Sequence, residues 1–198
     1  ALHQAGFDNA VASLGTAFTS GQASLIKRYT NEVLLSYDSD GAGTKAALRA
    51  IPIIKEAGLS AKVINMRPYK DPDEFIKNLG AEMFQERIEQ AKNSFLFEVE
   101  VKYKEFQMDD PEQKTIFYNE VAKMLLGFPE ELERNNYLEA VCREYQIPME
   151  SLRNLVNRYA YQGAEIPAKQ KVREQAGKKL GRKDGIRQSQ RLLLTWLI

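Results

Sequence analysis

The stretch from residue 33 to residue 43, Val-Leu-Leu-Ser-Tyr-Asp-Ser-Asp-Gly-Ala-Gly, constrains the fold of this chain more than any other. Its apolar run predicts a buried strand, and a glycine-rich turn follows directly. Asp38 and Asp40 stand two residues apart, so an extended backbone directs both carboxylates to the same side. Such a pair at a strand end suits Mg²⁺, which takes one or two carboxylates plus substrate phosphates. A plain polar turn that caps the next helix is the alternative.

Strand and helix patterns alternate through the first third of the chain. The predicted strands cover residues 9–14, 33–37 and 61–66. Predicted helices cover residues 19–29 and 44–57, with Pro52 expected to kink the second, and another helix begins at Glu74. This order predicts an α/β domain with a largely parallel sheet flanked by helices. In such a sheet the loops at the carboxyl ends of the strands form the site.

A second acidic motif, Lys70-Asp71-Pro72-Asp73-Glu74, follows the third predicted strand. Because parallel strands end at the same edge, Asp71 and Asp73 are expected to face Asp38 and Asp40 across a crevice. Four converging carboxylates would repel one another unless cations lay between them. The alternative is that Asp73 caps the helix beginning at Glu74 while Asp71 is solvated.

Beyond Gly80 the patterns are mainly helical. Asp110-Pro111 has the residue types of a helix start, and residues 130–145 and 149–161 carry apolar stripes that include Leu132. These stripes predict a small all-α bundle. Residues 165–191 hold nine Lys and Arg against three Asp and Glu, a net charge of +6 in a chain of net charge +1. They are predicted to form a linker, and the apolar residues 190–198 to begin another helix.

Composition excludes several classes of site. The chain has one cysteine, Cys142, and one histidine, His3. It can therefore form no internal disulfide and no zinc site built from Cys and His, and a reducing compartment is expected. No apolar run reaches 18 residues and no signal peptide is visible, so we expect no membrane association.

Three known motifs compete for the first acidic turn. An EF-hand loop beginning at Asp38 would need a glutamate at its twelfth position, where Arg49 stands. Haloacid-dehalogenase-like phosphatases also use Asp-x-Asp-Gly, but Ala42 replaces their usual threonine or valine and no convincing later motifs follow. A Toprim domain, the metal-binding fold of primases and topoisomerases, is the third interpretation.

Three segments together resemble the bacterial replicative DNA primases of the DnaG type: residues 2–16, 37–43 and 70–75. The resemblance implies that residues 1–90 are most of a Toprim-like domain without its first strand. It implies that residues 91–163 are the helical subdomain of the polymerase core. Residues 164–198 would be a basic linker and the start of a helicase-binding domain. The glutamate-bearing first strand of the family would precede Leu2, so the chain is expected to be a fragment that makes no primers alone.

Site residues are implied by the same resemblance. Asp38 and Asp40 would be the catalytic ligands of Mg²⁺ or Mn²⁺, and Asp71 and Asp73 would extend the metal site. Apart from the resemblance, Arg67 and Lys70 carry charges that could contact phosphate or, equally, form surface salt bridges. Ser13, Gly15 and Thr16 would lie beside this site.

The implied partners are a single-stranded DNA template, ribonucleoside triphosphates and, through the C-terminal region, the replicative helicase in a bacterial cytoplasm. The alternatives are a non-catalytic module that docks single-stranded DNA or helicase, and another Toprim-type phosphotransfer protein.

Overall fold

A computed structural model describes residues 1–13 and 17–163 and the backbone of residues 192–195. The chain forms two structural units: the first comprises Ala1–Glu98 and the C-terminal segment, and the second begins at Val99. Gly15, Thr16 and the predicted linker lie outside the described residues. The predicted domain boundaries stay predictions.

The first unit contains a five-stranded sheet. Its strands are β1 (Ala10–Ala12), β2 (Glu32–Ser36), β3 (Ser60–Val63), β4 (Lys92–Asn93) and β5 (Leu192–Thr195). Their order is β1-β5-β2-β3-β4; only the pairing of β4 with β3 is antiparallel. The predicted largely parallel sheet is therefore confirmed.

Helices pack against both faces of this sheet. A short 3₁₀ helix, His3–Ala5, precedes β1; helices α1 (Ser20–Ile26), α2 (Gly41–Glu56) and α3 (Pro72–Glu89) follow β1, β2 and β3. Strand β2 is buried on both faces because Val33 and Leu35 belong to one apolar cluster and Leu34 to another. Helix α2 continues past Pro52, and α3 is interrupted at Gly80, whose φ is 83°. Because each helix is packed on the sheet, the loop that joins it to the preceding strand is held at both ends.

The C-terminal strand corrects a prediction. Residues 192–195 were expected to begin a helix, but they form β5, parallel to both neighbours. A short apolar run fits a buried strand and a buried helix equally well, so its local pattern does not decide between them. Strand β5 fills the gap between β1 and β2, where backbone groups of both strands would otherwise lack partners.

Removal of residues 192–198 tests this arrangement. Among the strands that the structure describes, β1 pairs with β5 alone, whereas β2 also pairs with β3. We expect amide hydrogen exchange in β1 to accelerate at least about tenfold in the shortened chain, because the local opening free energy falls. Strand β3, which is separated from β5 by β2 in the sheet, is the internal control. Unchanged protection of Val11 and Ala12 would contradict the pairing.

The second unit is helical. Helix α4 (Ser94–Tyr103) contains the boundary between the units, and α5 (Pro111–Leu125), α6 (Glu131–Tyr145) and α7 (Met149–Gly163) follow. Asp110 caps α5 by accepting a hydrogen bond from the Glu112 N–H, with Pro111 as first helical residue, as predicted. The predicted helical bundle is confirmed, but Leu132 is 75% exposed instead of buried. Among the described residues, no helix is both long and apolar enough to cross a membrane.

Candidate metal centre

Two loops meet at the carboxyl edge of the sheet. Strands β2 and β3 are parallel, with Leu35 opposite Val63, so the loops that follow them open on the same side. The Ser39 N–H donates a hydrogen bond of 2.7 Å to the Lys70 carbonyl. The turn that carries Asp38 and Asp40 therefore contacts the loop that carries Arg67, Lys70 and Asp71.

Asp38 is the least exposed acid of the pair. Its side chain is 17% exposed, and its Oδ2 lies 3.8 Å from the Lys70 Nζ. Burial raises the pKa of Asp38 above its ordinary value; Lys70 opposes this shift, and the charges of Asp71 and Asp40 reinforce it. A partly desolvated carboxylate among other acids would be stabilised by a cation.

Asp40 caps helix α2. Its Oδ1 accepts a hydrogen bond of 2.7 Å from the Gly43 N–H, so the capping interpretation is correct for this residue. A carboxylate has acceptor capacity on both oxygens, and capping through Oδ1 leaves Oδ2 for another partner. Asp40 is an exposed residue that lines the groove described below.

Gly43 permits the close approach of α2 to the acidic turn. A Cβ on this residue would lie 2.0 Å from the carbonyl oxygen of Asp38 and 2.9 Å from its nitrogen. Glycine is therefore required sterically, because its backbone packs directly on that of Asp38.

The second acidic pair is divided between two roles. Asp71 caps α3, and its Oδ1 accepts a hydrogen bond of 2.8 Å from the Glu74 N–H. Asp73 instead pairs with Lys77 one turn along the helix. The alternative in which Asp73 caps this helix is wrong, because Pro72 begins the helix and makes Asp71 the cap. Asp71 thus lies with Asp38 and Asp40, while Asp73 is directed to its own lysine.

A groove runs between the two loops. It is lined by Ser39, Asp40, Arg67, Pro68, Tyr69, Lys70 and Glu74. Sequence reasoning missed Ser39, Tyr69 and Glu74. Glu74 Oε2 accepts a hydrogen bond of 2.7 Å from the Lys70 N–H, and the Tyr69 ring packs edge to face on Phe75. Glu74 stands three residues after the capping Asp71, the spacing at which a glutamate side chain often accepts a backbone hydrogen bond at the start of a helix. That spacing was the signal in the sequence.

The donors fit a hard cation. Within the described part of the chain, no three His, Cys, Asp or Glu groups lie close enough to enclose a metal ion by themselves. Asp38 and Asp40 offer the one or two carboxylates with which Mg²⁺ is usually held, its remaining positions being filled by water and phosphate oxygens. A groove that also presents Arg67 and Lys70 has the charges needed to receive such phosphates.

Comparison with known proteins bears on this site. Residues 1–76, which include both acidic motifs, match the family Toprim_2, described as Toprim-like. The DNA primase of Clostridium acetobutylicum is 33% identical over 156 residues, 79% of this chain and 26% of the relative. This chain is a relative of the DNA primases. The DNA primase of Listeria innocua is also 33% identical, over 76% of the chain and 24% of the relative.

Solved primases share the fold. The Aquifex aeolicus primase structure, with its zinc-binding and RNA polymerase domains, matches with a TM-score of 0.54 and 31% identity over 76% of this chain and 36% of that one. A DnaG primase catalytic domain bound to single-stranded DNA matches with a TM-score of 0.59 and 26% identity over 76% and 49% of the two chains. The chain thus has the Toprim fold followed by helices, as the sequence predicted. It spans about a quarter of the length of the curated primases that it matches.

Proposed function

We propose that this chain supplies the metal-binding part of a DNA primase that makes short RNA primers on single-stranded DNA. The observation that carries the proposal is the contact between the two acidic loops, through Ser39 and Lys70, at one sheet edge. Asp38 and Asp40 are the proposed catalytic metal ligands and Asp71 a proposed neighbouring ligand, whereas Asp73 stays paired with Lys77 and extends the acidic site only through its charge. The relatives named DNA primase support the reaction class.

The acidic turn and the groove beside it then have distinct tasks. Asp38 and the groove-lining Asp40 would hold the cation, and Arg67 and Lys70, which also line the groove, would bind the phosphates of a ribonucleoside triphosphate. The divalent ion would reduce the charge on the triphosphate and activate the attacking hydroxyl. Gly43 and the Asp40 cap keep the acidic turn fixed against α2, so that both carboxylates are positioned before the substrate arrives.

Template binding is proposed for the same groove, and contact with a helicase for the C-terminal region in a bacterial cytoplasm. A separate single-stranded DNA site on the helical unit is less well supported. Its described residues 99–163 hold eight Lys and Arg against twelve Asp and Glu, a net charge of −4. A surface of that sign repels the phosphate backbone.

Mn²⁺ titration of the chain, followed by the electron paramagnetic resonance of free Mn²⁺, tests the proposal. Asp38→Asn removes the charge of the half-buried ligand and keeps its size, so we expect Mn²⁺ affinity to fall at least about tenfold. Asp8, which is exposed and precedes β1 at the opposite sheet edge, provides the control Asp8→Asn. Equal Mn²⁺ affinity of Asp38→Asn and wild type would reject the metal centre.

A further inference from the structure

The backbone of Lys70 is held from two sides. Its N–H donates to Glu74 Oε2 at 2.7 Å, and its carbonyl accepts from the Ser39 N–H at 2.7 Å. These two bonds join the start of α3 and the turn after β2 through one residue. The Cα of Lys70 is thereby fixed, while its side chain stays 66% exposed and free to reorient.

The ammonium group of Lys70 lies beside the carboxylate that is proposed to bind the metal. Its Nζ is 3.8 Å from Asp38 Oδ2, the half-buried carboxylate of the proposed metal centre. The other charges that act on Asp38 come from Asp71 and Asp40 and are negative. Lys70 is thus the cation that offsets this acidic group among the described residues.

A neighbouring lysine makes a useful comparison. Lys77 pairs with Asp73 within the first two turns of α3 and is 71% exposed, about as much as Lys70. Each lysine pairs with an acid of one of the two motifs, but Lys70 is the one paired with the half-buried Asp38.

We propose that Lys70 is an internal counter-ion that competes with the divalent metal for Asp38. A cation that binds there must displace the ammonium group, so Lys70 lowers metal affinity until the metal enters. Its release then leaves a positive side chain beside the groove for a substrate phosphate. This inference rests on the proposed function, because it requires Asp38 to be a metal ligand.

The test is Mn²⁺ titration of the full chain with Lys70→Gln, Lys70→Arg and Lys77→Gln. We expect Lys70→Gln to bind Mn²⁺ about three- to tenfold more tightly at low salt, since it removes a like charge close to the ion. Lys70→Arg should return affinity to the wild-type range, and Lys77→Gln should change it less than about twofold. The gain in Lys70→Gln should shrink above about 0.5 M salt, where exposed charges are screened.

Both backbone hydrogen bonds of Lys70 survive these substitutions, so the variants are expected to fold, and thermal unfolding checks this. Affinity in Lys70→Gln that is equal to or weaker than wild type overturns the inference, as does an equal gain in Lys77→Gln. If wild type binds Mn²⁺, Asp38→Asn does not, and Lys70→Gln gains nothing, the inference fails while the metal centre stands. If neither wild type nor Lys70→Gln binds Mn²⁺, both fail.

Discussion

Replacement of Gly43 by alanine is expected to disrupt the acidic turn while an alanine two residues earlier is tolerated. The new Cβ would lie 2.0 Å from the Asp38 carbonyl oxygen, within a contact made by two backbones. Neither backbone can move without separating α2 from the end of β2. We expect a loss of at least about 3 kcal/mol in the free energy of unfolding. Urea unfolding followed by circular dichroism measures it.

Gly41→Ala is the matched control, since a Cβ there meets nothing within 4 Å. Gly41 is the first residue of α2, and alanine is the better helix former, so this variant should be neutral or more stable by up to about 1 kcal/mol. Any Gly43→Ala protein that folds should also bind Mn²⁺ weakly, because the Asp38 backbone has moved. Similar stabilities of the two variants would show that the close packing of α2 on Asp38 is wrong.

Asp38→Ala is expected to abolish primer synthesis. The assay uses a chimera of the Clostridium acetobutylicum primase in which the segment aligned with this chain, 156 residues at 33% identity, is replaced by it. Loss of a preorganised charged group at the reacting centre should lower the rate at least about 100-fold. Template-directed incorporation of labelled ribonucleotides measures this rate.

The control chimera carries Asp8→Ala, an exposed acid at the opposite edge of the sheet. It should retain the activity of the unsubstituted chimera. A chimera with Asp38→Ala that makes primers at a near-normal rate would show that Asp38 is not a catalytic ligand, whatever its affinity for Mn²⁺.

Local patterns predicted much of the fold and the pairing of the acidic loops. The apolar run before Asp38 and the glycine-rich turn after it can be recognised from a few consecutive residues. The parallel order of the strands then places the second acidic motif at the same edge of the sheet. The backbone bond from Ser39 to Lys70 agrees with that expectation. The assignment of individual carboxylates to the metal stays a prediction.

The features that the sequence did not reveal depend on the pairing of strands far apart in the chain and on which charged side chains form ion pairs. Strand β5 pairs with β2 although Leu193 and its partner Leu34 are nearly 160 positions apart in the chain. The local sequence Leu192–Thr195 does not indicate which strands it pairs with. The pairing of Asp73 with Lys77 depends on where α3 begins, which Pro72 decides. The ion pair of Lys70 with Asp38 needed the geometry of both loops at once.

The position of Mn²⁺ in crystals of this chain tests the shared metal centre most directly. Anomalous diffraction at the manganese edge should show a peak about 2.1 Å from an Asp38 carboxylate oxygen, on the side that faces Asp40 and Asp71. A peak at another edge of the sheet, or none near Asp38 in crystals that hold Mn²⁺ elsewhere, would contradict it.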